Sequence, residues 1–180
     1  MKLYILRHGE AGKRPPVGSK SSEASLTITG QNEITEVSKA IMELGLKFDL
    51  IATSPLKAAY QTAEILSYGG SKLKSKDKRK IERIMYRIEK WDELKPEGKK
   101  QLLWRKLSKL DSESSILIVG HEPGLGEIIS EVIVPNDHPI NNVHLKKGSL
   151  AKVEIFTFRP KTKGKLDWLI SPKILKKMVK

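Results

Sequence analysis

Short runs of consecutive apolar residues recur along the first two thirds of the chain, and each run stops at a polar or turn-forming residue. The clearest runs lie within residues 3–6, 48–53 and 115–120. Apolar runs of this length, rich in branched and aromatic residues, are typical of strands that are buried on both faces of a parallel sheet. The pattern therefore predicts three central strands, of which the first ends at Arg7 and the last at Gly120.

Between these strands, apolar residues recur every three or four positions, as they do on one face of an amphipathic helix. The first such stripe predicts a helix that is capped by Thr27 and stopped by Gly45. A second helix is predicted to begin at Ser54-Pro55, with Ser54 as the cap and Pro55 in the first helical position, and to run to residues 69–70. Further helices are predicted at 99–110, from 123 to about 134, and from 172 onward.

Two other segments alternate apolar and polar residues. Residues 81–88 are interpreted as a strand near a sheet edge, while 149–158 and 166–170 are predicted to form a β-hairpin around turn residues 161–165. Alternating strands and helices followed by a hairpin imply an α/β fold. We therefore predict a three-layer α/β/α sandwich with a mostly parallel central sheet and a C-terminal antiparallel hairpin, formed by one domain over residues 1–180.

The composition of the chain limits the binding partners and the cellular compartment that we expect. The 180 residues include no cysteine, which excludes disulfides and cysteine-bound metals, and no apolar run approaches the length of a membrane span. We see no secretory signal and expect a cytoplasmic protein. The net charge of +13 favours anionic partners. Its lysine-rich runs at 72–90 and 173–180 lack stacking aromatics or a helix-turn-helix, so we expect solvated surfaces rather than a nucleic-acid site.

The candidate chemistry lies where two predicted strands end. Arg7, His8 and Gly9 follow the first strand, and His121 follows Gly120 at the end of the strongest one. Parallel strands bring their carboxyl ends to one edge of the sheet, so the two histidines can converge there. The simpler interpretation of Arg7-His8-Gly9 alone is a basic surface turn, and the pairing with His121 is what favours a site.

An arginine and two histidines around one point suit a phosphoryl group, since a neutral imidazole can attack phosphorus and the other groups can stabilise its oxygens. A metal site is the alternative use of two histidines, with Glu10 and Glu122 as available carboxylates, but the adjacent charge of Arg7 disfavours it. Nucleotide-binding loops of the P-loop or dinucleotide type are absent from the sequence.

An ordered set of motifs extends over nearly the whole chain. It comprises Leu6-Arg7-His8-Gly9-Glu10, Leu26-Thr27 with Gly30, Thr53-Ser54-Pro55 with Gln61-Thr62-Ala63, Glu93-Leu94-Lys95-Pro96 with Gly98, Val119-Gly120-His121-Glu122-Pro123-Gly124, and Trp168-Leu169-Ile170-Ser171-Pro172. This set resembles the histidine phosphatase superfamily, and in particular its SixA-like phosphohistidine phosphatase branch.

The resemblance implies a metal-independent phosphatase without an organic cofactor. His8 would be the nucleophile that forms a transient phosphohistidine, and Arg7 and His121, with Gly9, would hold the phosphoryl oxygens. Its substrate would be phosphohistidine, carried by a partner protein, or another small phosphomonoester. Glu93 occupies the position of a family glutamate and is the first candidate for the general acid, with Asp92 and Glu122 as alternatives.

The chain also departs from the family pattern. The family's arginine before the Gln-Thr pair corresponds to Ala58, and the arginine that SixA-like members carry before the Leu-Thr helix start corresponds to the region of Ala24. Lys57, Lys20 or Arg14 could compensate, although a lysine lacks the planar fork of arginine. The alternative function is therefore a catalytically weakened protein that binds phosphate or a phosphoprotein on the same fold.

Overall fold

A computed structural model describes residues 1–13, 24–68, 86–134 and 143–178 of the chain. Its strands are β1 (Lys2–Arg7), β2 (Leu50–Thr53), β3 (Ile88–Lys90), β4 (Ser115–Gly120), β5 (Leu150–Thr157) and β6 (Lys163–Ile170). Its α-helices are α1 (Ile28–Glu43), α2 (Lys57–Tyr68), α3 (Lys100–Leu107), α4 (Gly124–Ile133) and α5 (Pro172–Met178), and a 3₁₀ turn covers Asp92–Leu94.

The strands form one mixed sheet in the order β3-β2-β4-β1-β5-β6. β3, β2, β4 and β1 are parallel, while β5 is antiparallel to both β1 and β6. The register pairs Arg7 with Gly120 and Thr53 with Val119, so the strand ends that precede His8, Ser54 and His121 lie side by side. The predicted fold class, with its parallel centre and its antiparallel C-terminal hairpin, is confirmed.

The alternation of side chains along β1 and β4 divides the core between the two faces of the sheet. Leu3 and Ile5, with Ile116 and Ile118, pack against α3 and α4. The intervening residues of both strands face the other side and pack against α1, α2 and α5. Both faces of the central strands are buried, which explains their unbroken apolar sequence.

Helix starts follow the predicted caps at α1 but not at α2. The Thr27 hydroxyl accepts a hydrogen bond from Gly30 N, and Gly45, at φ +66°, follows the end of α1 as predicted. α2 begins at Lys57, later than the predicted Pro55, because the Ser54 amide still donates to Val119 O at 2.9 Å and prolongs the sheet pairing. Ser54 Oγ then accepts from Leu56 N at 3.3 Å.

The edge strands also differ from their predicted bounds. β3 is an edge strand, as expected, and covers only 88–90 within the described residues. β6 begins at Lys163, inside the predicted turn, because residues 163–165 already pair with β5. Most of the lysine-rich run at 72–90 and of the predicted strand 81–88 lies outside the described residues, as do Arg14 and Lys20. None of the described helices is long and apolar enough to cross a bilayer.

Candidate active site

The structure brings His8 and His121 together at the carboxyl edge of the sheet. His8 N donates to Gly120 O at 3.2 Å, so the pairing of β1 with β4 continues one residue beyond the end of β1. The two imidazole rings have centroids 4.8 Å apart and an interplanar angle of 54°. Parallel neighbours in the sheet thus produce the convergence that the sequence predicts.

A backbone carbonyl determines which nitrogen of His8 carries the proton. His8 Nδ1 lies 2.7 Å from Gly9 O. Because a carbonyl oxygen only accepts hydrogen bonds, Nδ1 must carry the proton and donate it. Burial has the largest effect on the pKa of His8 and lowers it, the bond to the Gly9 carbonyl raises it in part, and the nearby charges of Arg7 and Lys147 lower it further, so that the net shift is downward. The ring is therefore neutral at pH 7, and Nε2 has an available lone pair.

His121 is held by a side chain from the adjacent strand end. Its Nε2 lies 3.0 Å from Ser54 Oγ, and Ser54 is fully buried. Burial, followed by the nearby His8 and Arg7, lowers the pKa of His121 to about 4. His121 is therefore also neutral at pH 7, and a neutral imidazole has one N–H that can donate a hydrogen bond.

Arg7 supplies permanent positive charge beside the two neutral rings. Its Nη1 donates to Leu145 O at 2.7 Å. Its Nε and the hydroxyl of Ser149 are buried without a hydrogen-bond partner in the part of the chain that the structure describes, and the two residues are joined by Arg7 N donating to Ser149 O at 3.2 Å. An unsatisfied buried donor costs about 1–3 kcal/mol, more when charged. Arg7 therefore carries its charge at this edge with one guanidinium donor unsatisfied within the described part of the chain.

Residues 143–149, just before β5, are the part of the site that the sequence reasoning missed. Glu122 binds this segment to the start of α4, because its oxygens accept from Leu145 N at 2.6 Å and from Gly126 N, within α4, at 3.2 Å. Gly148 N donates to the carbonyls of both Arg7 and His8, at 3.1 and 3.3 Å. The Lys-Gly-Ser sequence at 147–149 signals a turn, but no local pattern shows that this turn binds the end of β1.

Gly9 is a glycine because the helix α1 approaches the loop closely. A Cβ at this position would lie 2.6 Å from Cγ1 of Ile34, and a Cβ at Gly30 would lie 2.2 Å from Glu10 O. The Gly9 amide donates to Thr62 Oγ1 at 3.2 Å, and the Thr62 hydroxyl donates to Ala58 O at 2.8 Å. The Gly9 amide would have to leave Thr62 to contact a phosphate, so its phosphate contact stays a prediction.

Ala58 and Lys57 begin the helix that packs on this loop. Ala58 is 5% exposed and lies one turn before Thr62, on the face that contacts Gly9. The family arginine would therefore project from the side of α2 that lies against the site. Lys57 is exposed and occupies the first position of α2, and its compensating role stays a prediction. Ala24 is half-buried at the start of a described segment.

The candidate carboxylates have other partners in the structure. Glu93 lies in the 3₁₀ turn after β3, and its oxygens accept from Lys106 Nζ at 3.1 and 3.3 Å. Asp92 pairs with Lys95 at 2.7 Å, and Glu10 accepts from the Thr27 hydroxyl at 3.1 Å. Glu93 as the general acid therefore stays a prediction. Among the described residues, no three His, Asp or Glu side chains form a group that could hold a metal ion.

Comparison of the sequence with known proteins finds one family model and one related protein. Residues 3–109 match the family model of the histidine phosphatase superfamily (branch 1). An uncharacterized protein of Picosynechococcus sp. is 29% identical over 180 residues, which cover 97% of this chain and 99% of that protein.

Two solved structures extend the comparison to the whole fold. The protein histidine phosphatase SixA complexed with tungstate is 25% identical, with a TM-score of 0.71, over 97% of this chain and 99% of that one. A mycobacterial glucosyl-3-phosphoglycerate phosphatase is 14% identical, with a TM-score of 0.64, over 94% of this chain and 99% of that one. The second similarity concerns the fold alone.

Proposed function

Because the chain belongs to the histidine phosphatase superfamily, in its SixA-like branch, we propose that it is a phosphatase in which His8 attacks phosphorus. The observation that carries this proposal is the bond from His8 Nδ1 to Gly9 O, since it leaves the Nε2 lone pair available for attack. The neutral His121, one hydrogen bond from Ser54, and the charge of Arg7 support binding of the phosphoryl oxygens.

The proposed reaction has two displacements at phosphorus. In the first, the His8 Nε2 lone pair forms a P–N bond while the bond to the leaving group breaks, and the leaving atom keeps the electron pair and takes up a proton. In the second, a water oxygen attacks phosphorus, the P–Nε2 bond breaks, its electron pair returns to Nε2, and the water proton passes to solvent or phosphate. The protein supplies alignment and charge, as phosphoryl transfer requires.

We further propose phosphohistidine, on a partner protein, as the substrate. The 25%-identical neighbour is a protein histidine phosphatase, and this supports the assignment. The bonding of Glu93 supports it as well, because both of its oxygens accept from Lys106 Nζ and Glu93 would have to leave that ammonium to assist a leaving group. An imidazole leaves phosphorus with less help from an acid than an alkoxide does, so phosphohistidine needs such help least.

Replacing the nucleophile tests the reaction. The variant His8→Ala should reduce kcat/KM for phosphohistidine by about 10⁴-fold or more, as loss of a nucleophile typically does. Mass spectrometry of rapidly quenched enzyme should find a phosphoryl group on His8 in the native protein and none in the variant. His144→Ala is the matched control, since the His144 side chain is 70% exposed on the same edge of the molecule. It should change kcat/KM by less than about twofold. Activity that survives in His8→Ala would contradict the mechanism.

One observation favours the alternative function, a protein that binds phosphate or a phosphoprotein with little turnover. Ala58 is buried on the face of α2 that contacts the site, where the family pattern has an arginine. Removing one charged donor typically lowers kcat by about 10²–10³-fold. Native protein that binds inorganic phosphate, yet turns over neither phosphohistidine nor p-nitrophenyl phosphate, would favour this alternative.

A further inference from the structure

A tight turn next to the nucleophile presents a lysine. Ser149 N donates to Lys146 O at 2.9 Å, and Gly148 has φ +72°. A positive φ at the third residue is typical of a type II turn, in which Lys147 takes the second position. Gly148 is followed by the strand that pairs with β1, so the turn is anchored on one side by the sheet.

The same turn is bonded directly to the residues of the site. Gly148 N donates to Arg7 O at 3.1 Å and to His8 O at 3.3 Å. On its other side, Leu145 O accepts from Arg7 Nη1, and Leu145 N donates to the buried carboxylate of Glu122. Lys147 therefore begins from a backbone whose position relative to His8 is determined by bonds on both sides.

The charge of Lys147 acts on the site across this short connection. Lys147 is next in the chain to Gly148, whose amide donates to His8 O, and its charge, like that of Arg7, lowers the pKa of His8. Lys147 is exposed, and no hydrogen bond or ion pair holds its ammonium within the described ranges. A cation near His8 is also near any phosphoryl group that is bonded to His8 or approaching it.

A phosphoryl dianion needs more positive charge than Arg7 alone provides. One nitrogen of the Arg7 guanidinium is already bonded to Leu145 O, and both histidines are neutral. We propose that Lys147 is a second phosphate-binding cation of this site, whose ammonium contacts the equatorial oxygens of the phosphoryl group on His8. This inference rests on the proposed function, because it assigns a contact to the same phosphoryl group.

Paired lysine variants test the inference. Inorganic phosphate is titrated into the native protein and into the Lys147→Met, Lys147→Arg and Lys146→Met variants by calorimetry, and the pKa of His8 is measured by NMR without phosphate. Lys146→Met removes the same charge from the same turn and leaves its backbone bond intact. Lys147→Met should weaken phosphate binding roughly tenfold, as expected for one hydrogen bond to a charged group. Lys147→Arg should restore most of the affinity, and Lys146→Met should change it by less than about twofold.

The His8 measurement separates the two proposals. In Lys147→Met the pKa of His8 should rise, because a charge that lowers it has been removed, whereas Lys146→Met should leave it nearly unchanged. Equal phosphate affinities in the Lys147→Met and Lys146→Met variants, with native binding intact, would overturn the role of Lys147 and leave the phosphatase proposal standing. If native protein binds no phosphate and His8→Ala changes nothing, the proposed function fails and this inference fails with it.

Discussion

The two histidines of the site follow parallel neighbouring strands, each beside a glycine, yet their surroundings differ. His8 is oriented by a carbonyl of its own chain neighbour, Gly9, which only accepts. His121 is oriented by the hydroxyl of Ser54, which belongs to another strand end and can donate or accept. The tautomer of His8 is therefore determined by the backbone, while that of His121 depends on a side chain.

This difference assigns the two rings different work in the proposed reaction. A nucleophile needs a lone pair at one defined atom, and the Gly9 carbonyl secures it at Nε2 of His8. A ring that binds phosphoryl oxygens needs an N–H that is not already used, and His121 keeps one at Nδ1 when the Ser54 hydroxyl donates to its Nε2. Similar sequence contexts thus produce different chemistry because the hydrogen-bond partners of the rings differ.

The largest expected difference between the two histidines is in the effect of removing the ring of His121. His121→Ala should lower kcat/KM for phosphohistidine by about 10²–10³-fold, as loss of one stabilising donor typically does. A phosphoryl group should still appear on His8, though slowly, in rapid-quench mass spectrometry. His8→Ala should show none in the same experiment. If His121→Ala abolishes the phosphoryl enzyme as completely as His8→Ala does, the two rings do not have the separate roles proposed here.

The second contrast is in stability as a function of pH. The pKa of His121 is lowered to about 4 from an ordinary value near 6.5, so protonation favours the unfolded chain. The stabilisation from keeping this ring neutral is complete above pH 6.5 and is lost as pH falls toward 4. If His121 were fully buried, this stabilisation would be about 3 kcal/mol. Because the ring is partly exposed to solvent, we expect about 1–2 kcal/mol.

Chemical denaturation of native protein and His121→Gln measures this contribution. Glutamine does not titrate, so the unfolding free energy of the native protein relative to the variant should fall by about 1–2 kcal/mol between pH 7.5 and pH 4.5. Carboxylates that titrate in this range are common to both proteins and cancel in the difference. A difference that stays constant with pH would show that the pKa of His121 is not depressed by folding.

The smallest expected effect comes from replacing Ser54, the hydrogen-bond partner of His121. Ser54→Ala removes the hydroxyl that lies 3.0 Å from His121 Nε2 and that accepts from Leu56 N. Unfolding free energy should fall by about 1 kcal/mol, and kcat/KM by roughly tenfold, because the ring loses its orientation. The control variant is Ser67→Ala, which removes a different buried hydroxyl that lies on α2 and donates to Tyr86 O. It should cost similar stability without loss of activity, and an equal activity loss in both variants would contradict the role of Ser54.

Most of the fold could be predicted from the sequence because its signals are local. Continuous apolar runs indicated β1 and β4, the Thr27 cap and the stop at Gly45 marked the ends of α1, and alternation indicated the hairpin. The errors lie where pairing between strands overrides a local signal. Ser54 stays in the sheet through its bond to Val119, which delays α2, and residues 163–165 join β6 because β5 offers partners.

The grouping of the candidate residues could be predicted from the sequence better than their contacts. Arg7, His8 and His121 are marked by their places after strands, and parallel topology implies that they meet. The roles of Gly148, Leu145 and Glu122 depend on hydrogen bonds between segments far apart in the chain, for which sequence spacing has no signal. The pairing of Glu93 with Lys106 likewise arises from the packing of the 3₁₀ turn beside α3.

The opening strand and the turn after it show which properties the sequence determines and which depend on the tertiary structure. The sequence by itself determined that a buried strand ends in Arg7-His8-Gly9 and that a second ends before His121, because periodicity and turn residues act locally. Only the tertiary structure decided that Gly9 O orients His8, that α1 requires a glycine at position 9, and that the turn bearing Lys147 is bonded to the carbonyl of His8. Those properties depend on distances between separate segments, which the chain acquires only when it folds.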